Sequence, residues 1–592
     1  MNTIDKLKRV RESFDSKNIS AYIIPSSDPH LSEYLPDCWK FRTWASGFTG
    51  SAGTLVVGKN KAALWTDSRY FLQAEKELEG STIELCRMGL PNTPSIEEWL
   101  TETLSANETV GFNGKLFAHA AAKLLVANLS KNGLKVVSDI DIIPAVWTNR
   151  PSAPNGKAFE HKLRYAGLTV SEKIAEIRKN LGKQHSDACI ISALDDVAWT
   201  FNIRGNDVDY NPVVLSFGYI SMDEAILFID LDKLDDKLTT HLEEQGVELF
   251  DYNDSDKFIS ELPHNLTISI DETKLNHTLA SLIPKEIKTA DSISIPTKLK
   301  AVKNAVELEN IKQSLVLDGI AMCNFLYWLE THVGKEKITE LTIAEKLVEY
   351  RSEQEGFVSE SFETIAGYKE HGAIVHYSAT PETASEIESG GFLLVDSGAQ
   401  YLQGTTDITR TIHLGTPNNE EKQDYTLVLK GMIQLSMIQF PVGTRGSQLD
   451  TLARMAMWNK GINFGHGTGH GIGAFLNVHE GPQSIRPSEN PVTIEPGMVQ
   501  SNEPGIYRAG KHGIRIENLI ACKRTTENEF GTFLGFDTIT LCPIDTKPID
   551  VETLQADERN WLNSYHSMVY EKLAPFVKPE VKGWLKDRTR AV

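Results

Sequence analysis

Four carboxylates and one histidine stand in five glycine-punctuated segments between Asp396 and Glu517, and a chain that brings them together must build this region from strands returning to one point. The segments are FLLVDSGAQY with Asp396, TTDITRT with Asp407, HGTGHGIG with His470, SNEPGIY with Glu503 and GIRIEN with Glu517. The apolar run 392–395 reads as a buried strand that ends on Asp396, Ser397 and Gly398. Asp407 follows in a threonine-rich, β-prone stretch, so a hairpin carries the chain back and sets the two acids side by side. In 513–518 the isoleucines 514 and 516 alternate with Arg515 and Glu517; a strand here buries the first pair and projects the second. Glycines at 465, 467, 469, 471 and 473 disfavour a helix, and in an extended chain His466, Thr468 and His470 share a face.

Each segment taken singly has a plainer reading. Asp396 and Glu503 are then turn acids, Arg515 and Glu517 a surface ion pair, and the histidines satisfied polar residues. Together the weights change, because carboxylates from separate strands buried near one point raise one another's pKa unless cations compensate them. Two divalent ions bring enough positive charge. An oxygen-rich set with one imidazole and no thiolate favours manganese, cobalt, iron or zinc over a cysteine-built structural zinc site. Such a pair acidifies a shared water and stabilises a tetrahedral oxyanion, which makes amide hydrolysis the natural chemistry.

The rest of the chain fits an enzyme of several domains. Its 592 residues are 41% hydrophobic and 24% charged, ordinary for globular cores. A formal net charge of −20 argues against nucleic acid or an anionic membrane as partner, since those surfaces are bound through clustered Lys and Arg. Six cysteines without paired spacing suit reduced thiols, and the amphipathic start MNTIDKLKRVRESF lacks an apolar targeting core, so a cytoplasmic protein is expected. A weak repeat organises the first half: a helix-like segment leads into AYIIP from Ala21, and another leads into ACIIS from Ala188, 167 residues later. Two α/β domains of like fold follow, joined near TNRPSAPNGKAF. A long amphipathic helix over 304–333 opens the catalytic part, with further helices at 341–355, 421–439 and 447–460 between the ligand-bearing strands.

The order Asp, Asp, His, Glu, Glu, set in HGTGHGIGAFLNVHEGP and GIRIEN, resembles the pita-bread metallopeptidases, and among them the long, three-domain form of Xaa-Pro aminopeptidase. The likeness extends to SGFTGSAGTLVV, LWTDSRYFLQA, WTFNIRGNDVDYNPV and PIDVETLQADERNWLNSYH. It implies an α/β and α+β multidomain fold: two creatinase-N-like α/β domains, at 1–152 and 153–300, then a pita-bread catalytic domain with a C-terminal extension at 301–592. It also implies two divalent metal ions, most often Mn2+ with Zn2+ or Co2+ as alternatives. Asp396 would chelate one, His470 and Glu503 the other, and Asp407 and Glu517 both. His376, His466 and His479 would bind substrate and steady the tetrahedral intermediate, Glu503 would carry the proton to the departing proline nitrogen, and Arg515 would orient a ligand carboxylate. Substrates would be peptides with proline at the second position, and a homodimer would form through Trp458, whose plainer reading is a buried core aromatic. The stretch from His470 to His479 is longer than in the short bacterial enzymes and the prolidases, which marks the long form. Two alternatives remain: a prolidase restricted to dipeptides or a methionine aminopeptidase with the same five ligands, and a binding protein or creatinase-like enzyme working without metal.

Overall fold

The internal repeat becomes two six-stranded sheets of the same topology. In the first, Ala21–Pro25 lies centrally, antiparallel to Thr54–Gly58, which pairs antiparallel with Ala62–Thr66; Ile83–Arg87 then adds in parallel. On its other side Thr109–Phe112 and Lys135–Val137 add in parallel. In the second, Ala188–Ile191 takes the central place, with Ser216–Ser221, Ala225–Ile229 and Glu248–Phe250 on one side and Thr267–Ile270 and Lys288–Asp291 on the other, in the same senses. Helices cover both faces, which is why AYII and ACII are apolar at every position and buried throughout.

The copies meet through equivalent residues. Strands Thr109–Phe112 and Thr267–Ile270 begin 158 residues apart, and so do His119 and His277, each the first residue of the following helix. The amide of His119 donates to the carbonyl of Leu275 at 2.9 Å and that of His277 to Phe117 at 2.8 Å, a reciprocal pair, with the two Nδ1 atoms 3.1 Å apart. Two similar surfaces related by a local two-fold axis make this kind of self-complementary contact.

This computed structural model describes all 592 residues, which divide into two compact units. One holds Met1–His161 and Leu168–Lys298; the other holds Leu299–Val592 with the short piece Lys162–Gly167. The second opens on helix Ala305–His332, started by Asn304 in a capping box with Glu307. The side chain of Asn304 also donates to the carbonyl of Ala166 at 2.9 Å, tying in the short piece. Helices Glu340–Ser352, Asn419–Met437 and Gly446–Trp458 match the predicted ones to within a few residues. Strand Phe392–Ser397 sits between Ile365–Tyr368 and Ile408–His413, antiparallel to both. A second sheet runs in the order Phe440–Pro441, Gly531–Thr538, Asn518–Asn528, Val499–Asn502, Gly469–Gly471, Glu480–Ile485.

Two local expectations need correction. The strand predicted over 513–518 is interrupted: His512–Arg515 hairpins with Gly505–Arg508, residues 516 and 517 bridge, and Asn518 starts a new strand in another sheet. Ile514 and Ile516 are buried as expected, but Arg515 and Glu517 are equally buried, each 1% exposed, so neither belongs to a surface pair. The extended stretch 466–470 becomes strand only at its end, where Gly469–Gly471 begins, and the hydroxyl of Thr468 donates to Asp450 at 2.6 Å. Equal parity shares a face only where the strand is continuous. All six cysteines are unpaired and buried, and no helix is long and apolar enough to cross a membrane.

His566 is fully buried and accepts from the amide of Ile544 at 3.1 Å. Burial, reinforced by the Arg410 charge, lowers its pKa to about 4. Unfolded chain takes that proton near pH 6.5, so the stability from a neutral His566 is present above about 6.5 and is lost as pH falls through about 4. The urea midpoint is expected to fall across this window, and to fall less steeply in His566→Gln. Equal slopes would contradict the assignment.

Candidate metal centre

Three of the five predicted ligands form one cluster: the donor atoms of Asp407, His470 and Glu517 lie within 4.8 Å of one another. Nε2 of His470 stands 3.5 Å from Oδ2 of Asp407 and 3.4 Å from Oε1 of Glu503, which brings in the fourth. Asp396 and Asp407 lie at the end of one hairpin, Asp396 opposite Thr409 in the register. Thr409 links Asp396's strand to Glu517, donating from Oγ1 to Oε2 of Glu517 at 2.8 Å and accepting at its carbonyl from the amide of Glu517 at 3.1 Å.

The orientation of each donor is set by its neighbours. Nδ1 of His470 faces the carbonyl of Gly471 at 3.0 Å; with its proton there, Nε2 offers its lone pair to the acids. The amide of His470 donates to Ser501 Oγ at 3.0 Å, and that hydroxyl donates to Oε1 of Glu503 at 3.2 Å. Arg515 grips one oxygen of Asp396 with Nη2 at 2.6 Å and Nε at 3.1 Å, and reaches the hydroxyl of Tyr507 with Nη1 at 2.7 Å. Nε2 of His466 lies 2.8 Å from the same hydroxyl, so this histidine approaches the site through Tyr507. The rings of His479 and His470 meet edge to face, centroids 4.3 Å apart. His376 is half-buried, and the carbonyl of its neighbour Val375 accepts from Arg515 at 3.3 Å. Trp458 stands apart from the cluster on its helix, 47% exposed and donating to Asn463 at 2.9 Å, so it is not the core aromatic of the plainer reading.

Several residues that hold the site carry no local mark in the sequence. Buried Arg454 takes Asp450 one helical turn away, at 2.7 Å, and donates to the carbonyls of Phe464 and His466, both at 2.7 Å, which fixes the glycine-rich loop. The i, i+4 spacing of Asp450 and Arg454 was the one available signal, and it is common on surface helices. Arg410 donates to the carbonyls of Glu517 at 2.6 Å and Cys542 at 2.8 Å and to Tyr565 at 2.8 Å, joining the site to helix Ala556–Leu573. Glu480, next to His479, is enclosed by Lys300 at 3.2 Å and by Lys303.

The donor set asks for cations. Oδ1 of Asp396 and Oε1 of Glu517 are buried with no hydrogen-bond partner, an arrangement that a bound ion resolves and that is otherwise expensive. Burial, then Asp396 and Glu503, push Asp407 well above the carboxylate range; burial, then Asp407 and the other acids, do the same to Glu517. Burial lifts Glu503 to about 7 against the pull of Arg515. Without ions the site therefore retains protons at neutral pH, and an ion must displace them. Titrating metal-free protein with Mn2+ at neutral pH is expected to release protons, read as heats that scale with buffer ionisation enthalpy. Heats independent of the buffer would contradict this.

Known proteins resemble the chain throughout. Residues 309–524 match the model of metallopeptidase family M24 and 532–592 that of the C-terminal region of peptidase M24. Residues 6–143 and 149–307 each match a Creatinase/Prolidase N-terminal domain. A protein of Arabidopsis thaliana named aminopeptidase P2 is 41% identical over 626 aligned residues, covering 99% of this chain and 88% of its own. A Laccaria bicolor protein named probable Xaa-Pro aminopeptidase P is 39% identical, covering 99% and 93%. The crystal structure of X-prolyl aminopeptidase from Caenorhabditis elegans, described as a cytosolic enzyme with a di-nuclear active site, is similar with a TM-score of 0.96 and 34% identity over 100% of both chains.

Proposed function

The chain belongs to the aminopeptidase P branch of metallopeptidase family M24, with two creatinase-type N-terminal domains before a pita-bread catalytic domain, and on that footing we propose that it hydrolyses the N-terminal Xaa-Pro bond of peptides. The carrying observation is the cluster of Asp407, His470 and Glu517, with Glu503 against His470 and Arg515 clamping Asp396. These residues suit two divalent ions: Asp396 on one, His470 and Glu503 on the other, Asp407 and Glu517 shared. We favour manganese, with zinc or cobalt as alternatives. When bound, the ions polarise the scissile carbonyl and bring water to a reactive protonation state near neutral pH.

The protein's own groups do the rest. An Xaa-Pro amide is tertiary and lacks the N–H that peptidases commonly grip, and its nitrogen must be protonated to leave. Glu503 accepts a proton from water and delivers it to that nitrogen. Arg515 holds Asp396 in place and takes up part of the negative charge. His376 and His479 border the site and donate to the carbonyl oxygen as negative charge develops on it, while His466, with Nδ1 on the carbonyl of Gly467 at 2.7 Å and Nε2 on the Tyr507 hydroxyl, steadies the intermediate through Tyr507. The Tyr507 hydroxyl is itself bound to Arg515 at 2.7 Å, which couples His466 to the residue that holds Asp396.

Incubation with Ala-Pro and with a longer peptide of the type Arg-Pro-Pro tests the reading by the products. Release of the first residue from the longer peptide is expected; turnover of the dipeptide alone would replace this reading with a prolidase. We place the two N-terminal domains at 1–152 and 153–300 and the catalytic domain at 301–592, and, following the C. elegans enzyme, place the protein in the cytosol. Trp458 and Met455, a turn apart on one helix and 47% and 43% exposed, make an apolar pair suited to a homodimer contact. Light scattering should then give twice 65.9 kDa for the native protein and 65.9 kDa for Trp458→Glu. A variant that keeps the dimer mass would dispose of the contact.

A further inference from the structure

A single carboxylate binds four points of the segment that carries His376. Glu340 begins helix Glu340–Ser352 and is fully buried, yet no Lys or Arg pairs with it. One oxygen accepts from the amide of Tyr368 at 2.8 Å and from Nδ1 of His371 at 2.9 Å. The other accepts from the amide of Ser385 at 2.7 Å and from the hydroxyl of Tyr377 at 3.0 Å. The ring of Tyr377 stacks on that of His371, centroids 4.4 Å apart, so the two side chains that reach Glu340 also brace each other.

His376 lies between two pinned neighbours. On one side the carbonyl of Val375 accepts from Arg515, the residue that also clamps Asp396. On the other, Tyr377 is held by Glu340. The turn containing His371 is packed by backbone against strand His512–Arg515: a Cβ on Gly513 would lie 1.6 Å from the carbonyl oxygen of Gly372. Arg515 and Gly513 thus hold the loop on one side of His376 and Glu340 holds it on the other.

We propose that Glu340, acting through Tyr377 and His371, is a positioning residue that fixes His376 for the reaction. The inference rests on the role assigned to His376 above. A buried carboxylate with four donors defines geometry well, because each donor left unmatched inside the protein is costly.

The test is a double-mutant cycle on the Xaa-Pro peptide cleaved by the native enzyme. Tyr377→Phe removes one hydroxyl and keeps the ring stack, and Glu340→Gln keeps the shape but turns one acceptor into a donor facing donors. Each is expected to lower kcat roughly tenfold, with KM changed less than about twofold, and Tyr377→Phe, though it melts somewhat lower for want of one hydrogen bond to buried Glu340, is expected to stay folded with metal content unaltered. In a His376→Ala background, Tyr377→Phe should lower kcat by no more than about twofold, since nothing remains to be positioned. Equal losses in both backgrounds, or a folded Tyr377→Phe enzyme of full activity, would overturn the proposal while leaving the role of His376 intact. A His376→Ala enzyme of full activity would remove both.

Discussion

Mutual repulsion of buried carboxylates is the constraint on which the second unit is organised. Asp396, Asp407, Glu503 and Glu517 come from separate segments, and burial together with their proximity raises the last three above their ordinary range. Arg515 is the one cation among them, and it answers one acid, Asp396, through a single oxygen. The other oxygen of Asp396 and one of Glu517 have no partner. Hydrogen bonds from Thr409 and Ser501 aim the acids without neutralising them. The protein thus supplies geometry and leaves the charge to be balanced by ions.

That geometry is held from behind by polar groups buried away from the cluster. Arg454 with Asp450 fixes the glycine loop before His470, Lys300 and Lys303 with Glu480 fix the strand after His479, and Arg410 binds the carbonyl of Glu517 to helix Ala556–Leu573. Glu340 does the same for the loop of His376. Glycine gives the loops close approach and these polar anchors take away their freedom. The combination explains how glycine-rich segments, entropically poor material for a rigid site, can carry its donors.

Much of this was legible because it is local. The run 392–395 gave its strand, the amphipathic pattern over 304–333 gave the long helix, and the alternation of Ile514 and Ile516 gave the buried side of its segment. The repeat between AYIIP and ACIIS surfaced as two sheets of the same order, since equal patterns of buried strands have few ways to pair. The failures were equally physical. Parity placed Thr468 beside His466 and His470, but strand geometry begins only at Gly469; Arg515 and Glu517 read as one face of one strand, but the chain changes sheet between them.

Residue type and spacing alone fixed the kind of chemistry: an oxygen-rich donor set with one imidazole, two like domains ahead of it, and a charge balance unsuited to nucleic acid. Which acids share a point, which carboxylate Arg515 grips, and how Tyr507, Arg410, Arg454 and Glu340 hold the donors were decided only by the folded chain. Sequence pattern encodes which side of an element is buried. It carries no record of the long-range hydrogen bonds that burial makes obligatory, because those depend on which elements meet.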